Sequence, residues 1–188
     1  LHICDYNLEN INDYGNITND TLLADVCLAA KHEGQSINTH YQKYQAQYAS
    51  TYSPSQMCTM LARSFADIGD IIRGRDLYRG GGRGKGKEKL EENLKKIFGI
   101  IYDNLVEKNK EKAKDYYKDD TDKNYYQLRE DWWALNRDQV WKAITCNAGA
   151  SHYRKMGADG SIKQSTMEKC RNVADVPTNF DYVPQYLR

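Results

Sequence analysis

The chain has 188 residues, 40% of them apolar and 28% charged, with a mean hydropathy of −0.84 and a formal net charge of +1. That length suffices for one large domain with a real core. The near-zero charge excludes any partner argued from bulk electrostatics, and the lack of an 18-residue apolar run excludes a spanning helix or direct membrane insertion.

Residues 1–18 are polar and Asn-rich, with Gly15 as a breaker, and read as an extended or turn lead-in. From Thr21 to Tyr48, Leu22, Val26, Ala29, Ala30, Ile37, Tyr41, Tyr44 and Tyr48 fall mostly at helical spacing, with a kink expected at Gly34. Ser53-Pro54-Ser55-Gln56 is a helix start with a capping box. Met57, Met60, Leu61, Ser64, Phe65, Ile68, Ile71 and Ile72 then share one face, where Gly69 admits a close neighbour. Residues 80–87 (GGGRGKGK) bury nothing and read as a loop. Leu90, Leu94, Ile97, Phe98, Ile101 and Leu105 restart a helical stripe, and residues 106–124 read as a solvated helix end or loop. Trp132, Trp133 and Trp141 lie on a helix spanning about 122–145. Residues 147–165 read as loop and Ser165–Arg171 as a short helix. No stretch shows clean period-two alternation, so the fold class is all-α, a helical bundle over residues 19–188 behind a lead-in over 1–18.

Catalytic constellations are weak. Residues 81–87 match GxxxxGK, but Glu88 stands where a magnesium-holding hydroxyl belongs, and a helix precedes the motif where a strand is needed. His32 and His40 lack further ligands at metal-binding spacing, so no metal, cofactor or catalytic residue is assigned. The one suggestive cluster is basic. Arg73, Arg75, Arg79, Arg83, Lys85, Lys87 and Lys89 face only Asp76 and Glu88, seven minus two, leaving +5 there and −4 elsewhere. Such a segment attracts polyanions: arginine forks grip sulfate, and glycine lets backbone amides approach. The alternative is a solvated loop without a ligand. Nucleic acid is disfavoured, because no series of stacking aromatics flanks the charges.

Cys4, Cys27, Cys58, Cys146 and Cys170 form no CxxC pair, and their wide spacing suits disulfides in an oxidising compartment. Five is odd, so one thiol is free or is paired outside the chain. The chain opens on Leu1 without a leader and reads as an excised fragment.

Residues 61–80 (LARSFADIGDIIRGRDLYRG) and 125–146 (YYQLREDWWALNRDQVWKAITC) together resemble the Duffy-binding-like (DBL) domain of malaria parasites. The likeness is narrowest to the alpha class of the Plasmodium falciparum erythrocyte membrane protein family. Residues 1–9 (LHICDYNLE), 25–31 (DVCLAAK) with Glu33-Gly34, and 176–188 (VPTNFDYVPQYLR) extend it over the whole chain in the same order. The resemblance implies the end of a first subdomain over 1–18 and a second, helical subdomain over 19–188, with the third subdomain absent. It implies the pairs Cys58–Cys170 and Cys27–Cys146, with Cys4 unpaired in this fragment and its partner upstream. Tyr153-Arg154-Lys155-Met156-Gly157 and Cys170-Arg171-Asn172 lack two cysteines often seen in the class, which would leave 147–165 unpinned. It further implies a non-enzymatic adhesin on the infected-erythrocyte surface, anchored outside this fragment and active in cytoadhesion or rosetting. Its partners would be an erythrocyte or endothelial receptor or a heparan sulfate-like polyanion, complement receptor or blood-group sugar, and also antibody. The rival is a structural spacer beside a receptor-binding domain.

Overall fold

The computed structural model describes residues 4, 6–47, 54–76, 85–118 and 123–188. Its helices are α1 (Tyr6–Glu9), α2 (Asn19–Gln47), α3 (Pro54–Arg73), α4 (Lys85–Lys108), α5 (Lys110–Tyr116) and α6 (Tyr126–Ile144). A two-stranded hairpin, β1 (Arg154–Met156) and β2 (Ile162–Gln164), and single 3-10 turns at Tyr14–Asn16, Phe180–Tyr182 and Gln185–Leu187 complete the described elements.

Helix α6 is the central element, packed against α2, α3 and α4. Its tryptophans divide the work. The Trp132 ring meets Phe98 of α4 edge-on at 6.1 Å. Trp133 and Trp141 hold Phe65 of α3 between them, each with its centroid 5.1 Å away. Phe65 and Phe98 are fully buried, which stabilises the fold by about 2–3 kcal/mol each. Leu61, Ile68 and Ile72 line the same side of α3, as the stripe in the sequence predicts.

The glycines set how closely helices approach. A Cβ at Gly34 would lie 2.0 Å from the Ile144 carbonyl oxygen, and one at Gly69 would lie 2.8 Å from the Trp133 ring. Helix α2 therefore runs unbroken through Gly34 where a kink is expected from the sequence; the glycine serves contact with α6 instead. The lead-in contains the short α1, which packs on α2 and α4. It is tied down by Asn7 Nδ2 donating to the Asp25 carbonyl at 2.8 Å, and by the Cys4 amide donating to the buried Glu33 at 3.1 Å.

Two expectations for residues 147–171 are corrected. The 147–165 segment is pinned without cysteines. Arg154, Lys155 and Met156 pair with Gln164, Lys163 and Ile162, and the Tyr153 hydroxyl donates to Thr178 at 2.9 Å. Residues 165–171 form no helix. Met167 bridges Arg171, while Lys169 and Cys170 take left-handed conformations with φ of 58° and 56°. The tight turn presents Cys170 to Cys58, its amide to the Ser151 carbonyl and its own carbonyl to Trp141 Nε1.

The Cys58–Cys170 bridge is formed, with 5.6 Å between Cα atoms. Cys27 and Cys146 are unbridged thiols, contrary to the implied pairing. The close approach of α2 to α6 lies at Gly34 and Ile144, whereas Cys27 is seven residues earlier on α2, about 10 Å at the helical rise. Burial pushes the Cys27 thiol pKa up, which keeps it protonated and poorly nucleophilic.

Candidate adhesive surface

The basic segment leaves the bundle at the end of α3, and the sequence there writes a firm stop. Gly74 takes a left-handed conformation, φ 70°, which suits glycine. Its amide donates to the Ile71 carbonyl at 3.1 Å and the Arg75 amide donates to the Asp70 carbonyl at 2.8 Å, which together form a Schellman motif. Arg129 of α6 adds to this cap from outside the helix. Its Nε donates to Ile72 at 2.6 Å and its Nη2 to Ile71 at 3.0 Å, while both terminal nitrogens grip Glu91 of α4 at 2.8 and 2.9 Å. One buried guanidinium thus joins the end of α3, the first half of α4 and the start of α6.

Arg73 is part of this collar and not of an outer face. It is 1% exposed. Its Nε donates to the Gly69 carbonyl at 3.0 Å, and its Nη2 donates to Asp70 at 3.1 Å and to the Asp181 carbonyl. The guanidinium lies over Tyr182 at 5.3 Å. A ligand would have to dismantle the core to reach it, so Arg73 drops out of the seven-residue cationic set. Arg75 is exposed and paired through Nε with Glu130 at 2.6 Å, at the rim of an open cleft with Gly74, Tyr126 and Gln127. Lys89 is exposed on α4, its Nζ donating to Asn10 at 3.2 Å. Lys85 and Lys87 fall in the first turn of α4. Arg79 and Arg83 lie outside the described residues.

Next to the collar is a polar network that sequence reasoning missed. Asp181 is 1% exposed and accepts from Trp133 Nε1 at 2.9 Å and from Arg137 Nε and Nη2 at 2.8 and 2.7 Å. Arg188 pairs with Asp67 at 3.3 Å and with Asp70. Burial raises the pKa of both carboxyls above the usual carboxylate value, and the Arg188 charge counters it in part. Burial acts to lower the Arg137 guanidinium, but its hydrogen bonds and charge pairing with Asp181 outweigh this and hold it above its ordinary value. Residues 178–188 are thereby fixed across α3 and α6. The sequence signals for this are the aspartates that break the apolar run 65–72 beside the stripe of α3, at Asp67 and Asp70.

His32 and His40 are exposed on α2, and His152 Nδ1 lies 3.0 Å from the Ser165 carbonyl oxygen. Among the described residues no three His, Cys, Asp or Glu side chains are grouped to hold a metal ion. Nor is any helix of the described residues long and apolar enough to cross a membrane.

The Duffy binding domain family model matches residues 1–188. Among solved structures, the chain is similar to the NTS-DBL1(alpha-1) domain of PfEMP1 from the Plasmodium falciparum varO strain. Identity is 39% and the TM-score 0.80, covering 99% of this chain and 40% of that one. The varO NTS-DBL1-alpha and CIDR-gamma double domain gives 40% identity and a TM-score of 0.81, over 99% of this chain and 25% of that one. The ICAM-1-binding PfEMP1 IT4var13 DBLbeta domain gives 35% identity and a TM-score of 0.69, over 99% of this chain and 39% of that one. A comparison with curated protein sequences gave no match. This chain therefore spans less than half the length of the solved chains it resembles. Matched by the family model from end to end, and sharing the fold of these domains, the chain belongs to the Duffy binding domain family.

Proposed function

We propose that this chain is a non-catalytic adhesion module of a variant surface antigen, which engages host-cell surfaces from the outside of an infected erythrocyte. The observation that carries the reading is the family match over the whole chain, joined to a related DBLbeta domain solved bound to ICAM-1. The charge layout supports a polyanionic glycan as ligand. The segment from Arg75 to Lys89 holds six cations against Asp76 and Glu88, and both of its ends are anchored on the bundle by α3 and α4. Anchored ends lower the ordering cost of binding, and clustered cations raise the encounter rate with a sulfated chain. A protein receptor is the other class of partner.

The test is retention on a heparin column together with a binding screen that includes ICAM-1. The adhesive reading expects retention that falls with salt and is lost when Arg79, Arg83, Lys85 and Lys87 become alanine. A protein that ignores heparin at low salt and every receptor offered would be a spacer, and the reading would fail.

A further inference from the structure

A second feature of the surface, which begins one turn along α4 from Lys89, has the chemistry of a sugar subsite. An open cleft of about 640 Å³ lies between the middle of α4 and the start of α6, lined among others by Tyr14, Lys95, Lys96, Gly99, Lys123 and Tyr125. That volume is within the usual range for a small-molecule site. Both of its aromatic rings are held in place. The Tyr14 hydroxyl donates to Asn93 Oδ1 at 3.0 Å, and Asn93 is itself fixed by donating to the Glu9 carbonyl at 2.8 Å. Tyr125 rests beside Tyr102 at 5.7 Å, and its hydroxyl would be 3.3 Å from a Cβ at Gly99, so the glycine makes room for it. Lys96 already holds its ammonium 5.9 Å from the centre of the Tyr14 ring.

The backbone at this cleft is unusual. Lys123 and Tyr125 are both left-handed, φ 57° and 55°, although neither is glycine. Such conformations are unfavourable for residues with a Cβ and persist where the surroundings impose them, often at binding sites. Here they set a cation and a ring beside the same opening. The cleft also contains Glu92 and Asp103, so three lysines against two carboxylates leave a net +1. A pyranose offers apolar C–H faces for tyrosine rings and hydroxyls for the carboxylates to accept from. A sulfate or carboxylate on the same ring answers the lysines.

We propose that this cleft is a subsite for one anionic sugar unit, sulfated or carboxylated, carried between Tyr14 and Tyr125 with its charge on Lys95, Lys96 and Lys123. The inference deepens the glycan reading of the previous section and rests on it. Its test is a backbone-amide NMR titration of the intact domain with a trisulfated heparin disaccharide and with sialyllactose, using lactose as the neutral control. The two anionic sugars separate a sulfate preference from a carboxylate preference. Shifts should concentrate at residues 95–103 and 123–126 with at least one anionic sugar and stay absent with lactose. Lys95→Ala/Lys96→Ala/Lys123→Ala should weaken that binding at least tenfold with an unchanged melting temperature, since these ammonium groups are not part of the core. Shifts centred elsewhere, no shifts, or equal binding by the triple variant would overturn the subsite. Heparin-column behaviour keeps the two claims apart. If only the 79–87 variant loses retention, the adhesive reading stands while the cleft falls.

Discussion

At Gly34 two residue-scale effects oppose each other, and their sizes decide the outcome. Alanine is the better helix former by about 1 kcal/mol. A Cβ there would nevertheless lie 2.0 Å from the Ile144 carbonyl oxygen and 2.9 Å from its carbon, backbone atoms that no rotamer change can move. Separating α2 from α6 costs more than the propensity gain, so Gly34→Ala should destabilise by about 3 kcal/mol, at the upper end of overpacking penalties. A denaturant titration checks this, and a variant as stable as wild type would contradict the observed contact. Gly34 was legible in the sequence only as a weak point, because nothing local reports that a carbonyl from a residue 110 positions later comes to lie against it.

Asp67 and Asp70 give a second residue-scale prediction. Burial raises both carboxyls above 3.8. The folded state then binds protons more tightly than the unfolded chain. The favourable contribution is complete below the unfolded value and is lost as pH rises through the folded one. Asp67→Asn cannot take part in this linkage. The melting temperature of Asp67→Asn minus that of wild type should therefore grow more positive between about pH 3.5 and 7. A difference that stays flat or falls would show that the Arg188 pair outweighs burial.

Among the elements, those with a continuous apolar face were readable. The 57–72 stripe and the tryptophan helix appear in the structure as α3 and α6, with boundaries shifted by a few residues where Tyr125 turns left-handed before α6. The hairpin was not readable. Its strands are three residues long and exposed throughout, so no alternation of burial marks them, and their pairing is set by the turn at Gly157–Ser161. The Cys58–Cys170 bridge ties the first turns of α3 to this region across a sequence separation of 112. In the chain-entropy model a loop of that size is worth about 4–5 kcal/mol. Cys58→Ala/Cys170→Ala should lose an amount of that order in chemical denaturation. A loss below about 1 kcal/mol would mean that Trp141 and Tyr153 hold the region without it.

Across the whole molecule, the cations of the 73–89 segment have separate jobs that composition cannot distinguish. The net charge of +1 combines +5 in this segment with −4 elsewhere, and the sequence presents all seven basic residues as equivalent. The structure spends Arg73 on Asp70, Gly69 and Asp181 inside the collar, while Arg75 and Lys89 remain exposed. Replacing Arg73 with methionine removes one member of a buried ion pair and leaves its carboxylate partners under-compensated, a loss of about 3–5 kcal/mol. Any protein that still folds should elute from heparin at the wild-type salt concentration, because no contacting charge has gone. Arg79→Ala/Arg83→Ala should do the reverse. Its melting temperature should match wild type, and its binding should show a shallower dependence on salt, by roughly one unit of log–log slope for each cation that released counterions from the polyanion. The pair of measurements separates a charge that builds the platform from charges that meet a ligand. Equal effects of both variants on elution would mean that the collar and the segment act as one binding unit.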